Sequence, residues 1–235
     1  MRSMRRASDL ATKPFDQVID LAVSPATLEA IVPDIFDKIP SYGLVHDWLG
    51  QKTVERLLRF AQSNEHRFED TRVTHEEGER VDRTRRVSRK LLSLGDLKGE
   101  LRGKLEELLP VMHGTLGNKP FIPNKIEVEM VAHGDRAFFE RHIDTVTHLK
   151  HEGRGRIISA VYYFHALPKA FLGGVLRLHS LTASGRQGTF IDIAPDYDTL
   201  VFFPSFFPHE VLPVRCASGK FLDSRFAINF WIHRN

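Results

Sequence analysis

The sequence predicts an α+β chain in which helices come first and buttress a β-core of the sandwich or jelly-roll kind. Three observations predict this. Apolar residues recur at helical spacing in the first half, and short runs rich in β-branched and aromatic residues fill the second. Gly, Pro, Asp and Ser punctuate those runs at close intervals. A length of 235 residues suits one globular domain with a sizeable core.

The elements follow in order. Residues 1–13 read as a mobile basic arm opening on Met-Arg-Ser-Met-Arg-Arg. Residues 14–122 read as a mainly helical region packed on the core. In it Ser24-Pro25 has the chemistry of a helix start, serine as N-cap and proline at the first helical position, with a short helix running toward Phe36. Gln51 to Asn64 carries Val54, Leu57, Leu58 and Ala61 at amphipathic spacing. Asp96 to Leu109 repeats the pattern with Leu97, Leu101, Leu105 and Leu108, with Asp96 as its cap and Pro110 as its end. Residues 123–235 hold the β-core, with strands expected at Lys125–Val131, Ile157–Phe164, Thr199–Phe203 and Phe226–Ile232.

Composition narrows the function classes only modestly. Apolar residues make up 42% and charged residues 27%, ordinary for a soluble globular protein. A formal net charge of +3 is too weak to argue for nucleic acid. The single cysteine, Cys216, excludes an intrachain disulfide. With neither a secretory leader nor a run long enough to span a membrane, a cytoplasmic location is expected, with no membrane partner. Six basic residues lie between Arg80 and Lys90, which reads either as a solvated face or as a loop that binds an anionic substrate group.

The chemistry starts at His142-Ile143-Asp144. On a strand, residues two apart share a face, so His142 and Asp144 can reach one metal ion while Ile143 points away. The third ligand expected is His209, in Phe206-Phe207-Pro208-His209-Glu210. Two histidines and one carboxylate form a facial triad, which leaves coordination positions open and suits non-heme iron(II) oxygenases. Among twelve histidines a lone His-x-Asp would mean little; the surrounding pattern gives it weight. His148 and His151 read as a polar loop rather than a second metal site, and Phe202, Phe203, Phe206 and Phe207 as core. Cys216 is not expected to be a catalytic thiol.

That pattern, from Val128 to Trp231, resembles the prolyl-4-hydroxylase-like branch of the iron(II)/2-oxoglutarate-dependent dioxygenases. Its landmarks appear in the family's order. They are His142-x-Asp144, Ile157 to Tyr163, Gly173-Gly174-Val175-Leu176, Pro208-His209-Glu210-Val211, and Arg225 to Trp231. The N-terminal half matches loosely, through its helices and Arg86-Val87-Ser88-Arg89.

The resemblance implies a double-stranded β-helix (jelly-roll) core, with Fe(II), 2-oxoglutarate and O2 as cofactor and co-substrates and ascorbate as a reductant. It implies that Arg225 grips the distal carboxylate of 2-oxoglutarate, a task suited to a planar, bidentate guanidinium. Tyr163 would add a hydrogen bond there. Lys220, nearer the family's usual spacing after the metal histidine, is the rival anchor, and Arg215 to Asp223 reads as an inserted hairpin turn. His133 stands where the family usually has a tyrosine beside the co-substrate. Arg86, Arg156 and Trp231 fall on the substrate side, the alternative for Arg141 and Arg156 being ion pairs with Glu140 or Glu152.

An aspartate at 144 implies hydroxylation, with desaturation or ring closure open to the same triad. The expected substrate is an amino acid, an amino-acid derivative or another small acid, the clustered arginines pointing to an anionic one. The alternatives are a peptidyl hydroxylase acting on a partner protein and a non-catalytic metal-binding jelly-roll protein.

Overall fold

The computed structural model describes residues 37–75, 78–145, 155–182 and 188–234. The expected basic arm and the helix from Ser24 to Phe36 lie outside the described residues, as do His148 and His151. In chain order the strands begin with β1 (Gly43–Val45), β2 (Glu69–Asp70), β3 (Val73–His75), β4 (Gly78–Arg80), β5 (Arg86–Val87) and β6 (Arg89–Leu91). Then come β7 (Lys125–His133), β8 (Phe138–His142), β9 (Gly155–Phe164), β10 (Leu172–Gly173) and β11 (Leu176–His179). The last are β12 (Phe190–Ile193), β13 (Thr199–Pro204), β14 (His209–Val211), β15 (Val214–Arg215) and β16 (Arg225–Arg234). Three helices stand among them: α1 (Gln51–Ser63), α2 (Leu97–Glu107) and α3 (Leu109–Leu116).

The strands form a seven-stranded sheet in the order β1-β13-β9-β16-β7-β6-β2 and a five-stranded sheet in the order β12-β11-β14-β8-β5. Two small pairs, β10-β15 and β3-β4, complete the set. All of these pairings are antiparallel. The four expected strands are all present, each a little longer than its apolar run.

The alternation within β7, β9 and β16 separates structure from chemistry. Even-numbered residues Ile126, Val128, Met130, Ile158, Ala160, Tyr162, Ile228 and Phe230 join the main core with the helices. Helix α1 contributes Val54, Leu57 and Ala61, α2 contributes Leu97, Leu101 and Leu105, and α3 contributes Met112. A buried side chain of this size contributes about 1.5–3 kcal/mol, so this layer dominates stability. Odd-numbered residues of the same strands point the other way, as a two-residue period requires. There Tyr163 and Ala227 pack with Leu176, Leu178, Val201 and Phe203 in a smaller core. On the same face Glu129, His133, Ser159, Arg225 and Trp231 line a cavity.

Two expectations need correcting. Pro110 does not close the helical segment; it sits in the first turn of α3, where its missing N–H leaves no intrahelical bond unmade. Residues 215–223 do not form a hairpin. A turn closed by the Gly219 N–H to Cys216 C=O bond (3.1 Å, Gly219 φ 63°) leads into a 3-10 turn at Phe221–Asp223. The segment from 43 to 91 adds strands to both sheets that helical periodicity does not reveal. No helix among the described residues is long and apolar enough to cross a membrane.

Candidate active site

The cavity between the two sheets has a volume of about 570 Å³. At one wall β8 and β14 pair, and their register sets His142 directly opposite His209. The ring centroids are 4.2 Å apart. Asp144 lies just beyond β8, its backbone N–H bonded to the Ser205 carbonyl at 2.9 Å. Its Oδ1 is 3.6 Å from His142 Nε2 and its Oδ2 3.4 Å from His209 Nε2. One ligand atom from each of the three residues lies within 4.8 Å of the others, a spacing that could hold a metal ion.

The outer contacts fix which atoms face inward. His142 Nδ1 lies 2.8 Å from the Glu140 carbonyl, and His209 Nδ1 lies 2.9 Å from that of Phe207. A proton on each Nδ1 donates to its carbonyl and leaves each Nε2 lone pair facing Asp144. His142 stacks on Phe139 with centroids 3.5 Å apart. Ser159 Oγ donates to Asp144 Oδ2 at 2.6 Å, and Ser205 Oγ lies 2.9 Å from Ser159 Oγ. Burial and the adjacent His209 hold the His142 pKa down to about 4. Burial alone would raise the Asp144 pKa, but His209 and His142 outweigh it and hold the carboxyl well below its usual range. Burial alone would lower the His209 pKa, but Asp144 outweighs it and raises it above its ordinary value, so a divalent cation held at both Nε2 atoms would displace a proton from His209.

Across the cavity, Arg225 is 1% exposed yet has no carboxylate partner among the described residues. Its Nη1 donates to His133 Nδ1 at 3.1 Å. That assignment needs a neutral imidazole, and burial, Arg225 and Arg86 together push the His133 pKa well below its ordinary value. The Nε and Nη2 groups of Arg225 and the hydroxyl of Tyr163 are buried with no hydrogen-bond partner among the described residues. Burial raises the Tyr163 pKa to about 12, so its hydroxyl remains a donor. Gly174, at φ 67°, lets the backbone pass close by: a Cβ there would fall 2.7 Å from Arg225 Cδ. Isolated buried cations are costly and buried polar groups are nearly always paired, so this cluster fits a bound anion. The rival anchor Lys220 is exposed and is not among the cavity's lining residues.

The expected substrate-side residues line the same cavity. Arg86 lies on β5, its guanidinium 4.4 Å from the Phe139 ring and 3.7 Å from Glu129. Arg156 pairs with Glu127 at 2.6 Å, rather than with Glu140, and lies 4.1 Å over the Trp231 ring; Glu152 lies outside the described residues. Glu140 instead approaches Arg85 at 3.6 Å, and Arg141 is exposed. Phe202 and Phe203 are core as expected, whereas Phe206 is half exposed.

Ser159, Ser205, Glu129 and Asn229 were not singled out from sequence. Ser159 shares the inward face of β9 with Tyr163, so strand alternation alone could have marked it. Glu129 is buried and accepts from Asn229 Nδ2 at 3.2 Å, across the β7–β16 ladder.

Comparison with known proteins bears on the whole arrangement. A model of the 2OG-Fe(II) oxygenase superfamily matches residues 128–233. The chain is 30% identical over 221 residues to an uncharacterized PKHD-type hydroxylase of Synechocystis sp., covering 92% of this chain and 70% of that relative. A Pseudomonas putida prolyl-4-hydroxylase structure superimposes with a TM-score of 0.60 at 23% identity, over 88% of this chain and 99% of that one. So does a Trichoplax adhaerens prolyl hydroxylase in complex with a hypoxia inducible factor peptide, at a TM-score of 0.60 and 20% identity, over 88% and 89%. At such identities the structural likeness shows a shared fold.

Proposed function

The chain belongs to the 2OG-Fe(II) oxygenase superfamily, in its prolyl-4-hydroxylase-like branch, and on that footing we propose that it hydroxylates an unactivated C–H bond of an amino acid, an amino-acid derivative or another small acid. Membership makes it a dioxygenase that uses Fe(II), 2-oxoglutarate and O2. The two main sheets are the halves of a double-stranded β-helix in this reading, with the site at its mouth. One observation carries the reading: a His142/Asp144/His209 cluster lines one cavity with a buried Arg225, whose Nε and Nη2 have no hydrogen-bond partner among the described residues, and a buried Tyr163 hydroxyl that also has none.

His142, Asp144 and His209 would hold the iron through two Nε2 atoms and one carboxylate. Arg225 would take the distal carboxylate of 2-oxoglutarate, with the Tyr163 hydroxyl donating a further hydrogen bond. His133, neutral, accepts from Arg225 Nη1 and keeps the guanidinium edge turned toward that carboxylate. Once bound, iron and 2-oxoglutarate supply an oxidant from O2 with release of succinate and CO2. The protein's part is to place the target C–H bond and limit water, with Arg86, Arg156 and Trp231 on the substrate side. A cavity of about 570 Å³ suits a small molecule beside the co-substrate.

Ser159 serves this site by orienting Asp144. Loss of such an outer contact costs about 10–100-fold in metal affinity. Ser159→Ala is expected to weaken iron(II) binding by about that factor, with Ser159→Thr restoring most of it, in an anaerobic titration. Equal affinity in the alanine variant would remove Ser159 from the site.

The functional reading is tested by adding iron(II) and 2-oxoglutarate without oxygen, then supplying oxygen with candidate substrates. A weak visible charge-transfer band, followed by succinate formation that a small acid accelerates, is expected. Acceleration by peptides alone, with a +16 mass change on the peptide, would replace the small-acid reading with a peptidyl one. A bound metal with no band and no turnover would leave a binding protein.

A further inference from the structure

The cavity is lopsided in charge. Arg72, Arg85, Arg86, Lys90, Arg156 and Arg225 line it, against the carboxylates of Glu129 and Asp144. Four of these cations have evident duties. Arg86 faces Glu129, Arg156 pairs with Glu127, Arg85 approaches Glu140, and Arg225 faces the co-substrate in the proposed function. Asp144 is taken by its two histidines and Ser159. Iron(II) and doubly ionised 2-oxoglutarate cancel each other's charge, so loading the site leaves the imbalance in place.

Arg72 and Lys90 remain. Neither has an ion pair or hydrogen bond among the described residues. Lys90 lies on β6 opposite Val131, whose side of the sheet faces the cavity. Its other cross-strand neighbour, Glu69, makes no ion pair with it. Arg72 lies two residues beyond β2, the strand that pairs with β6, and next to the buried Val73, which also lines the cavity. The two cations therefore enter the cavity from adjoining segments at one wall. A cleft lined by one sign of charge raises the local concentration of the opposite charge.

We propose that Lys90 and Arg72 form an oxyanion subsite that holds an acidic group of the substrate, a carboxylate or a phosphate, and so fix which C–H bond faces the metal. This rests on the functional reading above and deepens it, because it names the group recognised and the residues that select it.

The test uses the full chain loaded with iron(II) and 2-oxoglutarate and three matched pairs: L-glutamate with L-glutamine, L-proline with L-prolinamide, and O-phospho-L-serine with L-serine. Binding is read without oxygen as a change in the charge-transfer band, and turnover as succinate. The member of at least one pair that carries the extra acidic group is expected to act at least about tenfold more strongly than its partner, which is neutral at that one position, the size of one charge-assisted hydrogen bond. Whether the carboxylates or the phosphate act identifies the group.

Lys90→Met keeps the apolar stem, and Arg72→Gln alters an exposed side chain, so both variants are expected to fold. Each should raise KM for the acid about tenfold, leave kcat nearly unchanged, and leave the neutral partner's KM and the band itself alone. KM for the acid should also rise with salt. The proposal is overturned if neutral members match the acids in every pair, if no acid acts while the band forms, or if the double variant keeps the wild-type KM. Absence of the band in wild type would bring down the functional reading, and this one with it.

Discussion

Asp144→Ala is expected to lower iron(II) affinity by more than about a hundredfold and to abolish succinate formation. Loss of an outer contact costs about 10–100-fold, and loss of a ligand exceeds it. The geometry adds a reason. Asp144 is the carboxylate between His142 Nε2 and His209 Nε2, at 3.6 and 3.4 Å. Without it a buried and a partly buried imidazole face each other with no negative charge between them, and a divalent cation loses its anionic ligand. An anaerobic iron titration and a succinate assay measure both effects, with circular dichroism to verify the fold. A variant that binds iron and turns over like wild type would reduce the cluster to a structural one.

The sequence carried the metal cluster further than it carried the fold around it. A strand period of two suggested one side for His142 and Asp144. In the structure β8 ends at His142, Asp144 lies in the bend beyond it and Ile143 lines the same cavity, yet the ligand atoms of the two residues and His209 lie within 4.8 Å of one another. The sequence could not place His209 opposite His142, because cross-strand register depends on the whole sheet; His209 was chosen from its place after an apolar run, with the family pattern giving that choice its weight. The four long strands were legible because each buries an alternating or continuous apolar run. The two-residue strand β5 and three-residue β6 were not, because their arginines and lysine carry no apolar alternation. Those residues read equally well as a solvated face. What separates them is the neighbour across the ladder: Arg86 stands opposite Phe139, and Lys90 opposite Val131. The same limit hid Glu129, whose acid in an apolar strand looks like a surface position until Asn229 pairs with it.

Arg225 is where stability and function should come apart most clearly. Its guanidinium is buried with Nε and Nη2 unpaired among the described residues, beside an unpaired Tyr163 hydroxyl. Burial pushes its pKa down, a sign of the desolvation cost it carries. Replacing buried charge by an apolar side chain of similar volume is often stabilising by about 1–4 kcal/mol. Arg225→Met is therefore expected to unfold at higher denaturant concentration than wild type when neither ligand is present. The same change should raise KM for 2-oxoglutarate by at least about a hundredfold, since a buried charge-assisted bidentate pair is lost. Adding 2-oxoglutarate and iron should then stabilise wild type but not the variant, through binding to the folded state alone. Arg225→Lys keeps a charge but not the planar fork, and should fall between the two. Iron affinity measured without 2-oxoglutarate should stay near wild type, which separates the anchor from the ligands. If Arg225→Met instead loses stability and keeps its KM, the guanidinium is a structural post and the carboxylate anchor must be sought among the other cations that line the cavity.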